Sequence, residues 1–162
     1  MAPGTLREIT RESVREITAL GVKPEQENNV QSNAVSIAEA YFEPGAWLRA
    51  IYAGDEPVGF VMLFDPTRPG ASINASVGKE EVALWRFMID ARHQSYGYGR
   101  QALDLVCDWL RSRGDVSSLC SSYVPGPHGA EAFYLGYGFH KTGRLLDDGS
   151  EIEISIRFHQ AS

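Results

Sequence analysis

Apolar residues along the chain fall into short blocks whose spacing switches between helical and extended periods. After a short extended start, Val14, Ile17 and Leu20 recur at helical spacing, with Thr10 placed to cap the segment and Gly21 to stop it. Residues 23–31 are polar and open on Pro24, which reads as a loop. A second helix follows, capped by Ser32 or Asn33, carrying Val35, Ala38, Tyr41 and Phe42 and ended by Pro44-Gly45. Strands over 47–53 and 57–64 bracket Gly54-Asp55 as a hairpin. Residues 65–79 hold two prolines, two glycines and little apolar content, so they read as a long connection of the kind that is functional or mobile.

Residues 81–90 form the clearest strand. Leu103, Val106, Cys107 and Leu110 then mark one face of a helix over 99–113, which Gly114-Asp115 ends. A strand over 116–124 runs into Pro125-Gly126-Pro127, a rigid break, and a short helix covers 130–136. Strands over 139–146 and 151–158 flank Asp147-Asp148-Gly149, a hairpin signal. Helices and strands are mixed rather than strictly alternating, so the expected class is α/β or α+β around a mixed sheet. With 162 residues, one domain spanning 1–162 is expected.

Composition narrows the function classes. A net charge of −6 disfavours nucleic acid, which needs a basic face, and suits a cationic partner. No apolar run approaches the roughly 20 residues that span a bilayer, and residues 1–10 lack the apolar centre of a secretory signal. No membrane association and a cytoplasmic location are therefore expected. Cys107 and Cys120 form no C-x-x-C pair and no zinc spacing, so they read as reduced, buried thiols with no metal.

The segment that carries chemistry is Leu84-Trp85-Arg86-Phe87-Met88-Ile89-Asp90 followed by Gln94-Ser95-Tyr96-Gly97-Tyr98-Gly99-Arg100. A buried strand runs into a glycine-punctuated turn that opens a helix, whose first-turn amides lack internal acceptors and sit at the positive end of its dipole. Such a turn can cradle a phosphate. It is neither a Walker loop, since no G-K-[ST] follows, nor a dinucleotide fingerprint, since Ala102 stands where the third glycine belongs. Gly-x-Gly on its own also fits a turn that is tight for packing alone.

Gln-x-x-Gly-x-Gly after a strand ending Phe-Met-Ile-Asp resembles motif A of the GCN5-related N-acetyltransferases, the GNAT family, and Phe133-Tyr134 with Gly138-Phe139 resembles that family's second signature. The resemblance implies a central, largely antiparallel sheet, flanked by helices and splayed at an acyl-CoA site. It implies acetyl-CoA as co-substrate, with the backbone of Phe87, Met88 and Ile89 pairing the pantetheine arm. The amides of Gln94, Ser95, Tyr96, Gly97, Tyr98, Gly99 and Arg100 would hold the pyrophosphate, and Tyr134 would protonate the leaving thiolate. Many members carry an asparagine seven residues before this tyrosine; here that position is Pro127, which leaves the contacts after the fifth strand open, with His128 beside it.

An acceptor amine with a pKa of about 10.4 is protonated at neutral pH and must lose a proton before it attacks a thioester. A carboxylate is the natural base. Glu81 shares strand parity with Ala83, Trp85 and Phe87, so all four are expected on one face. Some family members place a catalytic glutamate near Ala83; for Glu81 a base role and a solvated strand end both stand. The stretch from Pro24 through Glu25, Glu27 and Asn33 to Glu39 and Tyr41 resembles bacterial spermine/spermidine acetyltransferases of the same family. Residues 1–60 carry nine acidic and five basic residues. Glu25, Glu27, Glu39 and Tyr41 are thus candidates for binding a polyamine or diamine, and each also fits an ordinary surface position. Another amine (an antibiotic, an amino acid or a protein amine) keeps the same fold and cofactor, and a CoA-binding module without turnover is the reading from outside enzymology. Family members are often homodimers, and the C-terminal strands offer an edge for one.

Overall fold

The computed structural model describes residues 2–158. Strands β1 (Gly4–Arg7), β2 (Ala46–Ala53), β3 (Glu56–Phe64), β4 (Glu81–Ile89), β5 (Ser118–Tyr123), β6 (His140–Leu146) and β7 (Glu151–Arg157) form one sheet in the order β1-β2-β3-β4-β5-β7-β6. Among the described residues only β4 and β5 run parallel. The helices are α1 (Val14–Ala19), α2 (Asn33–Phe42), α3 (Tyr98–Arg113) and α4 (Glu131–Tyr137). This is an α/β domain built on an open, mostly antiparallel sheet.

Both faces of the sheet are covered, which is why β3 reads as an unbroken apolar run rather than an alternating one. Val58, Val61 and Leu63 pack with Leu103, Val106 and Leu110 of α3, and Tyr134 and Phe139 extend that core. Phe60, Met62 and Met88 pack on the other side with Ile17 and Leu20 of the α1 segment. No described helix is long and apolar enough to cross a membrane.

Several local expectations shift. Residues 23–31 contain a 3₁₀ turn, Pro24–Asn29, because Pro24 presets its first position and the Gln26 side chain accepts from the Lys23 amide at 3.1 Å. The first helix starts at Val14 rather than directly after Thr10, whose carbonyl accepts from both Ser13 and Val14. On α2 the inward face is Asn33 and Ser36, not the Val35, Ala38, Tyr41 and Phe42 stripe; Tyr41 and Phe42 are 85% and 82% exposed. Asn33 turns the helix this way, since its amide donates to the Ile17 carbonyl at 2.9 Å and reaches the Met88 sulfur at 3.7 Å. Ser32 is the cap, accepting from the Val35 amide.

The consequential correction lies in β4. Met62 pairs with Arg86 and Leu63 with Leu84, so Trp85 is an extra residue in a β-bulge. A bulge reverses the alternation of side chains beyond it. Trp85 therefore packs on the α1/α2 face and Phe87 on the α3 face, so Glu81, Ala83, Trp85 and Phe87 do not share one face.

Strand β3 holds β4 at close range through Gly59: a Cβ there would lie 2.5 Å from the Met88 carbonyl oxygen and 2.9 Å from Ile89 Cδ1. Gly59→Ala is expected to destabilise the fold by about 2 kcal/mol, the range for overpacking a filled interior, read as a lower urea midpoint. An unchanged midpoint would mean that β3 and β4 can move apart freely.

Candidate active site

Strands β4 and β5 are bonded only over Glu81–Ala83 and Ser118–Cys120. Beyond that the parallel pair parts, and a cleft of about 1480 Å³ occupies the opening. The carbonyls of β4 that face the opening have few protein partners. Ser121 Oγ donates to the Leu84 carbonyl at 3.2 Å, and the Gln94 side-chain amide donates to the Ile89 carbonyl at 3.0 Å. The Met88 carbonyl faces Gly59 on β3 instead. By strand alternation, the Phe87 carbonyl faces the opening between these two closed ends, where an extended ligand can pair with it.

At one end of the cleft the turn before α3 has two left-handed residues, Ser95 (φ 70°) and Gly97 (φ 88°). A non-glycine residue in that region stores strain, and such strain concentrates at functional turns. Alternating the hand of the backbone gathers successive amides into a concavity. The first α3 bond runs from the Gln101 amide to the Gly97 carbonyl, so the amides of Tyr98, Gly99 and Arg100 are free of helical partners. Gly97 has nothing within 4 Å of the position a Cβ would take, whereas at Gly99 a Cβ would meet Phe133 at 3.1 Å. Gly97 thus leaves room for a ligand, and Gly99 lets Phe133 stack on Phe87 with ring centroids 6.0 Å apart. The cleft is lined by Phe87, Met88, Ile89, Gln94, Ser95, Gly97, Tyr98, Gly99 and Arg100; Tyr96 lies outside it, half exposed and tilted against Tyr98.

Asp90 anchors this turn. It is buried and accepts from the Gly21 amide at 3.0 Å, from Arg92 Nε at 3.0 Å and from the His93 ring at 3.1 Å. Burial alone would raise its carboxyl pKa, but the Gly21 amide with Arg92 and His93 outweighs that and holds it below the usual range. Gln26 and Gln94 bond at 2.9 Å, and Asn29 Nδ2 donates to the His128 carbonyl at 2.8 Å. The 3₁₀ turn is thereby tied to both walls of the cleft, including the loop that carries Pro127.

Tyr134 lines the cleft from α4, 7% exposed, edge-on to Phe139 at 5.3 Å. Burial pushes its phenol up to about 12, with the Ser121 hydroxyl pulling the other way. At neutral pH it is therefore a proton donor and not a base. Cys120, at the apex of the opening, is held up at about 12 by burial and by Glu81 and Glu153, so its thiol is a poor nucleophile.

Glu81 does not line the cleft: it accepts from the Gly78 amide at 2.9 Å and from Ser118 at 3.4 Å, closing the end of the long loop. Glu27 lines it, but Glu25 and Tyr41 do not. Glu39 also stands outside and pairs with Arg86 at 3.5 Å, while Arg86 Nε is buried without a partner among the described residues. The acidic lining comes mainly from elsewhere: Glu43 at the end of α2, and Asp147, Glu151 and Glu153 around the β6–β7 turn. The strict alternation of Glu151, Ile152, Glu153 and Ile154 was the sequence signal that these carboxylates share one face. Among the described residues, no group of three or more His, Cys, Asp or Glu is arranged to hold a metal ion.

Gly97→Val puts a β-branched side chain at φ 88° in the mouth of this free-amide turn. It is expected to weaken CoA binding by about tenfold or more, measured by calorimetric titration, with cooperative unfolding retained. An unaltered Kd would leave the turn a packing feature only.

The sequence matches the model of the Acetyltransferase (GNAT) family over residues 6–139. No curated protein sequence matches it. Among solved structures, an acetyltransferase from Thermus thermophilus superposes with a TM-score of 0.71 at 19% identity, over 96% of this chain and 97% of its own. The ribosomal-protein-S18-alanine N-acetyltransferase of Escherichia coli gives 0.67 at 16%, over 98% and 96%. The aminoglycoside acetyltransferase AAC(6')-Ib in complex with coenzyme A gives 0.75 at 12%, over 95% and 94%. With the family model covering most of the sequence, the chain belongs to the GNAT family of acetyltransferases, for which acetyl-CoA is the co-substrate.

Proposed function

We propose that the chain transfers the acetyl group of acetyl-CoA to a primary amine of a small cationic acceptor, a polyamine or diamine such as spermine or spermidine, by direct attack in a ternary complex. The observation that carries the acceptor class is the acidic wall formed by Glu43, Asp147, Glu151 and Glu153, with Glu27 facing in from the 3₁₀ turn. The nearby cations are already engaged: Arg86 with Glu39, and Arg144 with Glu153. That leaves Glu27, Asp147 and Glu151 with no cation paired to them among the described residues, and such carboxylates in a cleft attract a polycation and repel anionic acceptors. An aminoglycoside fits the same charge, and the likeness to AAC(6')-Ib makes it the second reading.

In this reading the Phe87 carbonyl pairs with the pantetheine, the Ser95–Arg100 turn holds the pyrophosphate and Tyr134 protonates the departing thiolate. Direct transfer is supported by Cys120, whose suppressed acidity disfavours an acyl-cysteine route. A cytoplasmic setting agrees with two buried free cysteines, and a homodimer through the exposed edge of β6 belongs to the same proposal.

The test is thiol release from acetyl-CoA with spermine, spermidine, putrescine, an aminoglycoside, amino acids and a lysine peptide. Saturable turnover confined to polyamines is expected, whereas turnover with another acceptor alone would discard the polyamine. Acetyl-CoA binding without turnover across the whole panel would favour a CoA-binding module. Tyr134→Phe is expected to lower kcat by about 10²-fold or more with little change in the acetyl-CoA KM, because a leaving-group acid acts in the transition state. Unchanged kcat would remove Tyr134 from the chemistry.

A further inference from the structure

The carboxylates of the cleft are not equivalent. Glu43 is used up at the end of α2, accepting from the Gly45 amide at 2.9 Å, the Ser72 amide at 3.1 Å and the Ser72 hydroxyl. Glu153 is buried, with one oxygen bonded by Thr142 at 2.7 Å and the other 3.5 Å from Arg144. Asp147 sits in the hairpin turn with φ 53° and takes a long bond from Ser150 at 3.4 Å. Glu27 lies on the 3₁₀ turn. Glu151 is the one held by a short bond that still leaves it open: its Oε2 accepts from Ser122 Oγ at 2.7 Å, and neither a partner for Oε1 nor a pairing cation is present among the described residues.

The register of the sheet says which side of the opening this pair serves. Ile152 and Ile154 of β7 and Leu119 of β5 pack in the α3 core, the side of Tyr134 and Ser121. Alternation then puts Ser122, Glu151 and Glu153 on the opposite face, with Trp85. A thiol leaving beside Tyr134 and an amine arriving beside Trp85 approach the thioester from opposite sides of the same gap.

We propose that Ser122 and Glu151 are the proton-accepting pair for the acceptor amine, an assignment that rests on the acetyltransferase reading above. The ammonium gives a proton to Ser122 Oγ as the hydroxyl proton passes to Glu151. The freed nitrogen lone pair attacks the thioester carbon, the C–N bond forms and the C–S bond breaks. The electron pair leaves on sulfur, which takes the Tyr134 proton; the second amine proton restores the phenol by way of solvent, and Glu151 releases its proton to solvent. The sum is ammonium plus acetyl-CoA going to acetamide, CoA thiol and one proton. Desolvation beside Trp85 and Leu146 lowers the amine's pKa and narrows the gap the carboxylate must bridge.

The other ionisable groups at this site are Glu153 with Arg144, Asp147 at the turn, Cys120 on β5, Arg86 with Glu39 on the β4 side and Glu27 across the cleft. Glu151→Gln keeps the shape and the bond from Ser122. With the polyamine that wild type turns over, kcat at pH 7 is expected to fall about 10²-fold, with KM changing far less. Activity is expected to recover as pH rises toward the amine's own pKa. The defect should largely vanish with a fluorinated alkylamine that is already neutral at pH 7. Ser122→Ala should show the same pattern more weakly. CoA titration and thermal melting establish that both variants are folded. A raised KM with unchanged kcat and pH profile would overturn the assignment and make Glu151 a holder of positive charge. Loss of activity that neither pH nor the neutral amine restores would overturn it as well. If wild type itself turns over no amine, the acetyltransferase reading falls first, and the base role falls with it.

Discussion

The structure turns on the point where β4 and β5 stop bonding each other, after Ala83 and Cys120. Backbone groups inside a sheet demand partners, and an opened parallel pair leaves a row of them without any. Ser121 and Gln94 satisfy the two ends, so the stretch between, around Phe87, is a strand edge made for an extended ligand. The bulge at Trp85 belongs to the same device: it turns β4 as the strands diverge and sends Trp85 and Phe87 to opposite faces. The two walls of the opening then carry different side chains, Phe87 and Tyr134 on one and Trp85 on the other.

That division gives one small domain two walls of opposite character. On the α3 side lie the free amides of the glycine turn and a buried phenol that keeps its proton. On the other side the cleft is acidic and faces the long connection between β3 and β4 through Ser72, Asn74 and Ser76. In the proposed reaction an anionic donor and a cationic acceptor would be drawn to different walls, so that electrostatics orders the complex before any close contact forms.

The site is stiffened from behind. Asp90 joins the end of the α1 segment to the glycine turn before α3, and Asn33 ties α2 to both α1 and β4. The 3₁₀ turn reaches each wall through Gln26 and Asn29. Asn29 is of particular interest beside Pro127: an asparagine from the other side of the cleft contacts the very loop where the family often carries one. These bonds join residues far apart in sequence, so the cleft is held by the assembled fold and not by any one segment.

The sequence by itself determined what is local. The order of elements, the glycine turn opening α3 and the place of Tyr134 on a short helix were legible because turn chemistry, helical spacing and a contiguous motif are each encoded within a dozen residues. What crosses the sheet was not. Parity placed Glu81 beside Trp85 and Phe87, and an unpaired residue in β4, visible only against β3, broke that parity. Hydrophobic spacing set Val35, Ala38, Tyr41 and Phe42 on one helix without saying which way they face; the buried amide of Asn33 fixed the helix rotation through contacts on α1 and β4 and left Tyr41 and Phe42 outside. Acidic residues near the N-terminus suggested an acidic acceptor site, whereas most of the carboxylates that line the cleft come from the β6–β7 hairpin at the far end of the chain. Local backbone preferences are a property of neighbouring residues; which carboxylate faces a ligand is set by strand register and packing, and those exist only once the strands have met.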